Sequence, residues 1–445
     1  MIYDFSKWDE NQPQILNRKR PIVNEMMKLV VFAHTPPPHH GQSYMVQLML
    51  EGFGGDARKR SAGSPPPSAG IECYHVNARF SHGLEDIGEF QGTKLWLILR
   101  FCAQALWFRF RYGAKNLYYV PAPGKRIALY RDWLIMFLCR PFFKNVILHW
   151  HAAGLAKWLE TSTSIHARAT TYRLFRPVDL SIVLSKYNFA DAEKLLSRNI
   201  RVVDNGIADP CPEFAEKILS RRQARSVARA KLFGGESLSP EETAAADGNP
   251  QIVKILYLAH CMREKGLFDT LEGVVLANAE LKKRGSPLRL HLEVAGEFAN
   301  AAEKIEFDQR LAQLAAENAA GVTCLGFVSG ARKNHAFATN DIFCFPTFYH
   351  AESFGLVVVE AMAFGLPIVT TRWRSIPELL PENYPGLVDI KSPPQIAAAL
   401  IRFAANADDL PAQLRDIFQK RFTFEQHLAS LGAAIRSVEI ETTKK

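Results

Sequence analysis

Several features that would announce a function at once are missing from these 445 residues. No run of eighteen or more uncharged apolar residues is present, so no segment has the length and apolarity of a bilayer-spanning helix. The first 26 residues are polar, without an apolar h-region or a small-residue cleavage site, and so do not form a secretory signal. They are expected to be a disordered extension, with Met27 a candidate start because the fold begins behind it. The seven cysteines (73, 102, 139, 211, 261, 324, 344) are odd in number and include no C-x-x-C pair. Several sit in apolar runs, which fits reduced core residues of a cytosolic protein. There is no Asp-x-Asp at a strand end and no His/Cys cluster at ligand spacing, so no metal is implied. A G-x-G-x-x-G phosphate loop is also lacking.

Acids are scarce in one place. Between Lys94 and Lys144 a single acid, Asp132, faces ten bases: Lys94, Arg100, Arg109, Arg111, Lys115, Lys125, Arg126, Arg131, Arg140 and Lys144. This segment alone carries as much net charge as the chain, whose formal charge is +9. Trp96, Trp107, Phe108, Phe110, Trp133, Phe142 and Phe143 are interleaved with the bases. Such a mixture can face an anionic membrane surface or a nucleic acid. The aromatics fall in apolar runs that a core needs, and no nucleic-acid-binding motif accompanies them, so no nucleic acid is expected.

What is present in quantity is alternation. The runs KLVVFAH, IECYHV, NLYYV, NVILHWH, LSIVLS and IRVVDNG in the first half, and IVKILYLAH, LHLEVAG, VTCLGFV, DIFCFPT and LPIVTT in the second, read as strands separated by helical stretches. Repeated βα units imply two parallel, doubly wound Rossmann-like sheets with helices on both faces, an α/β fold. We expect an N-terminal domain over 27–211, a C-terminal domain over 251–420, and a C-terminal helix and tail over 421–445 that packs back on the N-domain. Residues 212–250, a basic run answered by an acidic one, read as a mobile, self-compensating linker. The insert 54–70 reads as a loop. Ligands in such sheets lie beyond the carboxyl ends of the strands, in this case between the domains.

The stretch HAESFGLVVVEAMAFGLPIVTT, residues 350–371, carries two acids, Glu352 and Glu360, in an otherwise apolar setting. A helix of about ten residues is expected between Phe354 and Phe364, closed by Gly365 and Pro367. Glu360 sits on that helix where no polar face exists, and a carboxylate there needs donors. Glu352 lies just outside its start, beside the free N–H groups of Gly355 and Leu356. Two carboxylate acceptors next to a nest of donors suit a ligand with both hydroxyls and phosphates, such as a nucleotide sugar. Lys265-Gly266, after the strand IVKILYLAH, puts an ammonium at a helix start where a diphosphate could rest. His149 and His151, two apart at a strand end, can face one side. Gly41, after three prolines, marks a turn where backbone could approach a diphosphate.

This two-acid stretch, with LYLAHCMREKGLFDTLEG, VVDNGIADP and HTPPPHHGQSYMVQLML, resembles family 4 of the retaining glycosyltransferases over about residues 27–435. The resemblance implies the GT-B fold and a metal-independent, retaining transfer of a sugar from a nucleotide diphosphate sugar to an acceptor hydroxyl. The donor is a co-substrate, so no resident cofactor is implied. In the matching roles Glu352 touches donor-sugar hydroxyls and Glu360 holds the ribose diol. The amides around Ser353, Phe354, Gly355 and Leu356 contact sugar and phosphate, and His151 lies near the reacting hydroxyl. Lys265 and Gly41 meet the diphosphate. His260 stands where the family commonly has an arginine, so a weaker donor replaces a fixed charge. The loop RSIPELL, with Glu378, resembles the one beside the donor sugar, and Asn205-Gly206 the turn that leaves the first domain. Polysaccharide or glycolipid synthesis in the cytoplasm is the implied setting, with a saccharide or lipid-linked acceptor and the inner membrane face as the anionic surface. A non-catalytic nucleotide-sugar-binding subunit, or an epimerase on the same fold, are the competing readings.

Overall fold

The computed structural model describes residues 26–37, 41–61, 67–80, 92–122, 124–317 and 320–442. The expected extension up to residue 25, positions 62–66 of the insert and positions 38–40 of the proline–histidine stretch lie outside them. The strands of the first domain are β1 (Met27–Ala33), β2 (Ile71–Asn77), β3 (Asn116–Tyr119), β4 (Asn145–Trp150), β5 (Val178–Val183) and β6 (Ser197–Val202). They form one parallel sheet in the order β2-β1-β3-β4-β5-β6. The second domain contains β7 (Ile252–Leu258), β8 (Arg289–Ala295), β9 (Gly321–Gly326), β10 (Ile342–Phe345), β11 (Ile368–Thr371) and β12 (Leu387–Val388). Their order is β12-β11-β10-β7-β8-β9.

Helices cover both faces of each sheet, which is why a strand such as β1, MKLVVFA, is apolar at nearly every position and buried at all but Lys28. The Lys28 ammonium donates to the Tyr112 carbonyl at 3.1 Å. All eleven expected strands are present. The twelfth, β12, has two residues, too few for any period to reveal.

The chain passes between domains twice, and the two passages lie side by side. Ile207 N–H donates to the Phe422 carbonyl, and Phe424 N–H to the Ile207 carbonyl, both at 2.9 Å. A Cβ on Gly206 would come 2.3 Å from the Thr423 carbonyl oxygen, so this approach requires glycine. The last helix, Phe424–Thr442, returns to the first domain, where Leu431, Ile435 and Val438 join the core of Leu29, Val31 and Ile147.

Residues 212–250 depart from expectation. They form the helix Ser220–Phe233 and the short helix Pro240–Ala245, docked on the second domain. Arg222 is buried, and its guanidinium donates to the carbonyls of Asn340 (2.6 Å), Phe337 (2.8 Å) and Phe364 (3.1 Å). Arg225 and Arg229 pair with buried Asp341 at 3.0 and 2.5 Å. Burial opposes ionisation of Asp341, yet the two guanidinium charges outweigh it and hold the carboxyl at about 2. The same burial pushes Arg222 down to about 9. The buried arginines of the basic run are therefore answered by carbonyls and a carboxylate of the second domain. Pairing inside the segment is left to its more exposed groups, as in Lys217–Glu213, Lys231–Glu242 and Arg221–Asp247.

Candidate active site

β7 and β10 are neighbours in the second sheet, so the loops leaving their carboxyl ends meet. After β7 a single helical turn, Arg263–Lys265, leads to Gly266, which takes φ +84 and starts the helix Leu267–Lys283. A Cβ on Gly266 would fall 2.4 Å from the Pro346 carbonyl oxygen in the other loop. Two hydrogen bonds lace the loops together: Phe348 N–H to the Glu264 carbonyl (2.8 Å) and Thr347 Oγ1 to the same oxygen (3.4 Å). The result is that Lys265 Nζ lies 2.7 Å from Glu352 Oε2, although 87 residues separate them. The same carboxylate oxygen lies 3.4 Å from Thr347 Oγ1, as an alternative acceptor for the one hydroxyl proton. The Lys265 ammonium also lies over the Tyr349 ring, 4.6 Å from its centre.

Beyond that loop Gly355 adopts φ +86, and a Cβ there would meet Ile376 Cδ1 at 2.5 Å. It opens the helix Leu356–Ala363, eight residues long instead of about ten. The helix is apolar on all sides because it is buried on all sides but one. Glu360 occupies the exception, and its carboxylate is taken by Lys333 of the helix Gly330–Thr339. Each acid of the two-acid stretch thus carries an ammonium. The expected neighbours of the Glu352 carboxylate, the amides of Gly355 and Leu356, are not its partners among the described contacts; Lys265 and Thr347 are.

Glu360 also lines a cleft of about 660 Å³ between the domains. From the first domain come Gly41 and Tyr44; from the second come Phe327, Ser329, Lys333, Asn334 and Leu356. A Cβ built on Gly41 would lie 3.6 Å from the Leu356 side chain, so the helix start Gly41 faces the helix start Leu356 across the opening. Ser353 makes the other bridge: its Oγ donates to the His151 carbonyl at 2.7 Å, while its own carbonyl accepts from Ser375 Oγ at 2.8 Å.

The structure therefore gathers Lys265, Glu352, Ser353 and His151 on one side of the loop 353–356 and Gly41, Leu356 and Glu360 on the other. Phe354 and His260, two further expected positions, lie in contrasting surroundings. The Phe354 ring is core, 2% exposed and packed on Phe422 at 6.2 Å, so only its backbone can face a ligand. His260 is exposed on the loop after β7, its carbonyl accepting from Tyr257 OH at 3.0 Å.

His149 and His151 do share one side, with ring centres 4.1 Å apart. His149 is buried, and its Nδ1 shares a 2.5 Å hydrogen bond with Tyr118 OH. Burial, with lesser contributions from His151 and His427, pushes its pKa well below the ordinary imidazole value. Burial thus disfavours the protonated form of this enclosed ring, which packs beside His151. Among the described residues no group of three or more His, Cys, Asp or Glu is placed to hold a metal ion.

Sequence reasoning did not single out Lys333, Tyr44 or Arg374, and it left Glu378 without a partner. Lys333 and Tyr44 line the cleft; Lys333 belongs to no quoted stretch, and Tyr44 lies within HTPPPHHGQSYMVQLML, where nothing distinguished it. Glu378 accepts from the backbone N–H groups of Lys186 (2.8 Å) and Tyr187 (2.9 Å) in the first domain, so it is a strut between domains. Arg374 lies over the Tyr187 ring, and its Nη1 would be 3.9 Å from a Cβ on Gly154, three residues beyond His151. Its Nε and Nη1 are buried without a hydrogen-bond partner among the described residues. The RSIPELL loop marked the neighbourhood of both, but nothing in it distinguished a strut from a ligand contact.

Comparison with known proteins bears on the fold and on part of the second domain. Residues 253–406 match the family model described as Glycosyl transferases group 1. The sulfoquinovosyl transferase of Arabidopsis thaliana is 41% identical over 61 residues, covering 14% of this chain and 12% of that protein. The phosphatidyl-myo-inositol mannosyltransferase of Mycobacterium tuberculosis is 34% identical over 119 residues, covering 26% of this chain and 29% of that protein. The matches thus span less than a third of either relative. The structure of HepE from Anabaena in complex with UDP and glucose aligns over 92% of this chain and 99% of its own, with 14% identity and a TM-score of 0.56.

Proposed function

From a chain with the GT-B fold whose residues 253–406 belong to the glycosyl transferases group 1 family, we infer a retaining glycosyltransferase that moves a sugar from a nucleotide diphosphate sugar to an acceptor hydroxyl. The observation that carries this reading is the Lys265–Glu352 pair at the carboxyl ends of adjacent strands β7 and β10, where an open sheet of this kind holds its ligand. An ammonium there meets a diphosphate, and a carboxylate meets sugar hydroxyls. Lys265 and the amides at Gly355 and Leu356 clamp the diphosphate, and Glu352 orients the sugar. Glu360, steadied by Lys333, accepts the ribose diol in the cleft shared with Gly41.

In the reaction the bond from the anomeric carbon to the diphosphate oxygen breaks and one from that carbon to the acceptor oxygen forms on the same face. The acceptor proton passes to the departing diphosphate, and a nucleoside diphosphate leaves. Lys265 lowers the barrier by stabilising the negative charge that develops on the leaving group, a contribution that is usually the largest in such sites. Buried His149 fixes the His151 ring beside the entering hydroxyl, and Ser353 holds the His151 backbone against the donor loop. No side-chain nucleophile and no metal take part. The acceptor is a saccharide or a lipid-linked saccharide, and the product belongs to polysaccharide or glycolipid synthesis. The seven cysteines form no disulfide, and burial raises the thiols of Cys73, Cys261 and Cys344 to about 12, which suits a reducing cytoplasm.

The test is a screen of nucleotide diphosphate sugars by thermal shift followed by turnover. UDP-sugars come first, because UDP is the nucleotide held in the HepE complex. A ligand at a hundred times its Kd adds about 2.7 kcal/mol of apparent stability. Binding followed by nucleoside diphosphate release with an acceptor supports the reading. Binding without turnover under any acceptor would favour the non-catalytic subunit, for which the exposed His260 in place of a fixed charge speaks. A changed sugar without acceptor would favour an epimerase.

A further inference from the structure

The basic segment of the first domain folds into two neighbouring helices, Gly92–Arg111 and Arg126–Cys139, and leaves apolar side chains in the open. On the first helix Trp96, Leu99, Trp107 and Phe110 fall within an arc of roughly 80° by the 3.6-residue period, and all four are exposed, Trp96 by 63% and Phe110 by 65%. On the second helix Tyr130 and Phe137 are exposed on one face, Phe137 by 65%. The other faces of both helices supply the core, through Ile98, Cys102 and Phe108 on the first and Leu129, Ile135 and Met136 on the second. The outward aromatics are therefore surplus to folding. Exposed rings gathered on two helices that pack together mark an interaction site.

Charge tells what the patch meets. Arg100, Arg111, Lys115, Lys125, Arg126 and Lys144 are exposed around it. The one acid, Asp132, is 1% exposed and bound by Tyr119 OH (2.7 Å), the Ala122 N–H (2.8 Å) and Arg131. No exposed carboxylate from 95–144 offsets the cations. Arg100 lies over the Trp96 ring and Arg109 over Phe110, so cation and ring are presented together. Rings that can settle at a headgroup boundary, ringed by cations, complement an anionic lipid surface. Among the described residues no helix is long and apolar enough to cross a membrane, so contact with such a surface would be peripheral.

The position of the face matters as much as its composition. In a parallel α/β sheet the helices run opposite to the strands, so their first turns lie at the carboxyl ends of the strands, beside the cleft. Trp96 and Tyr130 belong to the early turns of their helices, whereas Phe110 and Phe137 lie towards the far ends. The patch thus extends outward from the rim of the first domain's half of the cleft.

We propose that this face docks the protein on an anionic membrane, with the cleft rim towards the lipid. Resting on the transferase reading for the acceptor alone, this identifies the acceptor class as a lipid-linked saccharide whose sugar end enters from the membrane side. Attachment is reversible and salt-sensitive, because exposed charges are screened beyond about 10 Å at 0.1 M salt.

The experiment is sedimentation of the full chain, without donor, against vesicles of phosphatidylglycerol with phosphatidylcholine and against phosphatidylcholine alone, at 50 and 500 mM salt. Binding to the anionic vesicles at low salt, reduced at least tenfold at high salt and on neutral vesicles, is expected. The triple variant Trp96→Ser, Phe110→Ser, Phe137→Ser removes exposed rings and should lower anionic binding at least tenfold. Its melting temperature and its turnover with a water-soluble acceptor should be unchanged. Equal, negligible binding to both vesicle types at low salt would overturn the proposal. So would wild-type vesicle binding by the triple variant, or salt-insensitive self-association that the triple substitution abolishes, which would make the face a protein interface. Because the assay contains no donor, its outcome is independent of whether sugar transfer is found.

Discussion

Glu352→Gln separates the chemical role of this residue from its structural one. In the wild-type protein its carboxylate is 2.7 Å from Lys265 Nζ, with the side chains only 11% and 15% exposed. At an effective dielectric of about 20 the gross attraction of such a pair is about 6 kcal/mol, of which desolvation cancels most. The amide keeps the size and still accepts a hydrogen bond from the ammonium, so the net loss of stability should be about 1 kcal/mol. For a domain of about 200 residues that lowers the melting temperature by about 3 °C. Turnover should suffer far more. A neutral amide cannot match the carboxylate as an acceptor for sugar hydroxyls, and loss of one preorganised contact costs about a hundredfold, or about 2.7 kcal/mol. Melting curves and steady-state kinetics on the same preparation give both numbers. Turnover within threefold of wild type, or a loss that merely follows the folded fraction, would refute the assignment of Glu352 to the reacting sugar.

Three further outcomes follow from the geometry. Glu360→Ala should raise the donor KM at least tenfold with kcat changed by less than threefold, since a ribose contact remote from the anomeric carbon binds ground and transition states alike; a kcat effect without a KM effect contradicts it. Arg222→Met leaves three buried carbonyls without their donor and should cost about 3 kcal/mol, lowering the melting temperature by about 9 °C and opening new protease cuts within 212–250. An unchanged cleavage pattern would mean that the segment docks by other means. Burial depresses the pKa values of His75, His149 and His427, so these rings bind protons more readily when unfolded. Their contribution to stability is complete above the unfolded value near 6.5 and is lost as pH falls from there towards the folded values, by up to about 1.4 kcal/mol per pH unit for each ring. His149→Gln should therefore show a shallower fall in melting temperature between pH 7 and 5.5 than wild type; an identical slope would remove His149 from this set.

The inner strands were legible because a parallel strand buried on both faces is apolar throughout and needs no periodicity to be seen, whereas the largely exposed edge strands β6 and β9 were read from the alternation of strand-like and helical runs. The two-residue β12 offered nothing to see. The misreading of 212–250 has a different origin. Opposite charges adjacent in sequence look self-sufficient, whereas Arg222 and Arg229 find their partners in carbonyls and in Asp341, which only the fold brings near. The site shows the same limit. The sequence pointed to Glu352, Glu360 and Lys265 by placing charge in apolar or helix-start positions. That Glu352 meets Lys265 depends on β10 lying beside β7, and that Glu360 meets Lys333 depends on the packing of two helices. Glu378 illustrates the converse, since a motif loop placed it correctly between the domains while its carboxylate serves two backbone N–H groups.

The most direct test of retaining, metal-independent transfer is the fate of the anomeric carbon. The protein is incubated in EDTA with the nucleotide diphosphate sugar that stabilises it most and with saccharide and lipid-linked acceptors, and the product is read by proton NMR. Release of nucleoside diphosphate together with a product that keeps the donor's anomeric configuration is the predicted result. An inverted anomeric centre, or transfer that chelation abolishes and a divalent ion restores, would contradict it.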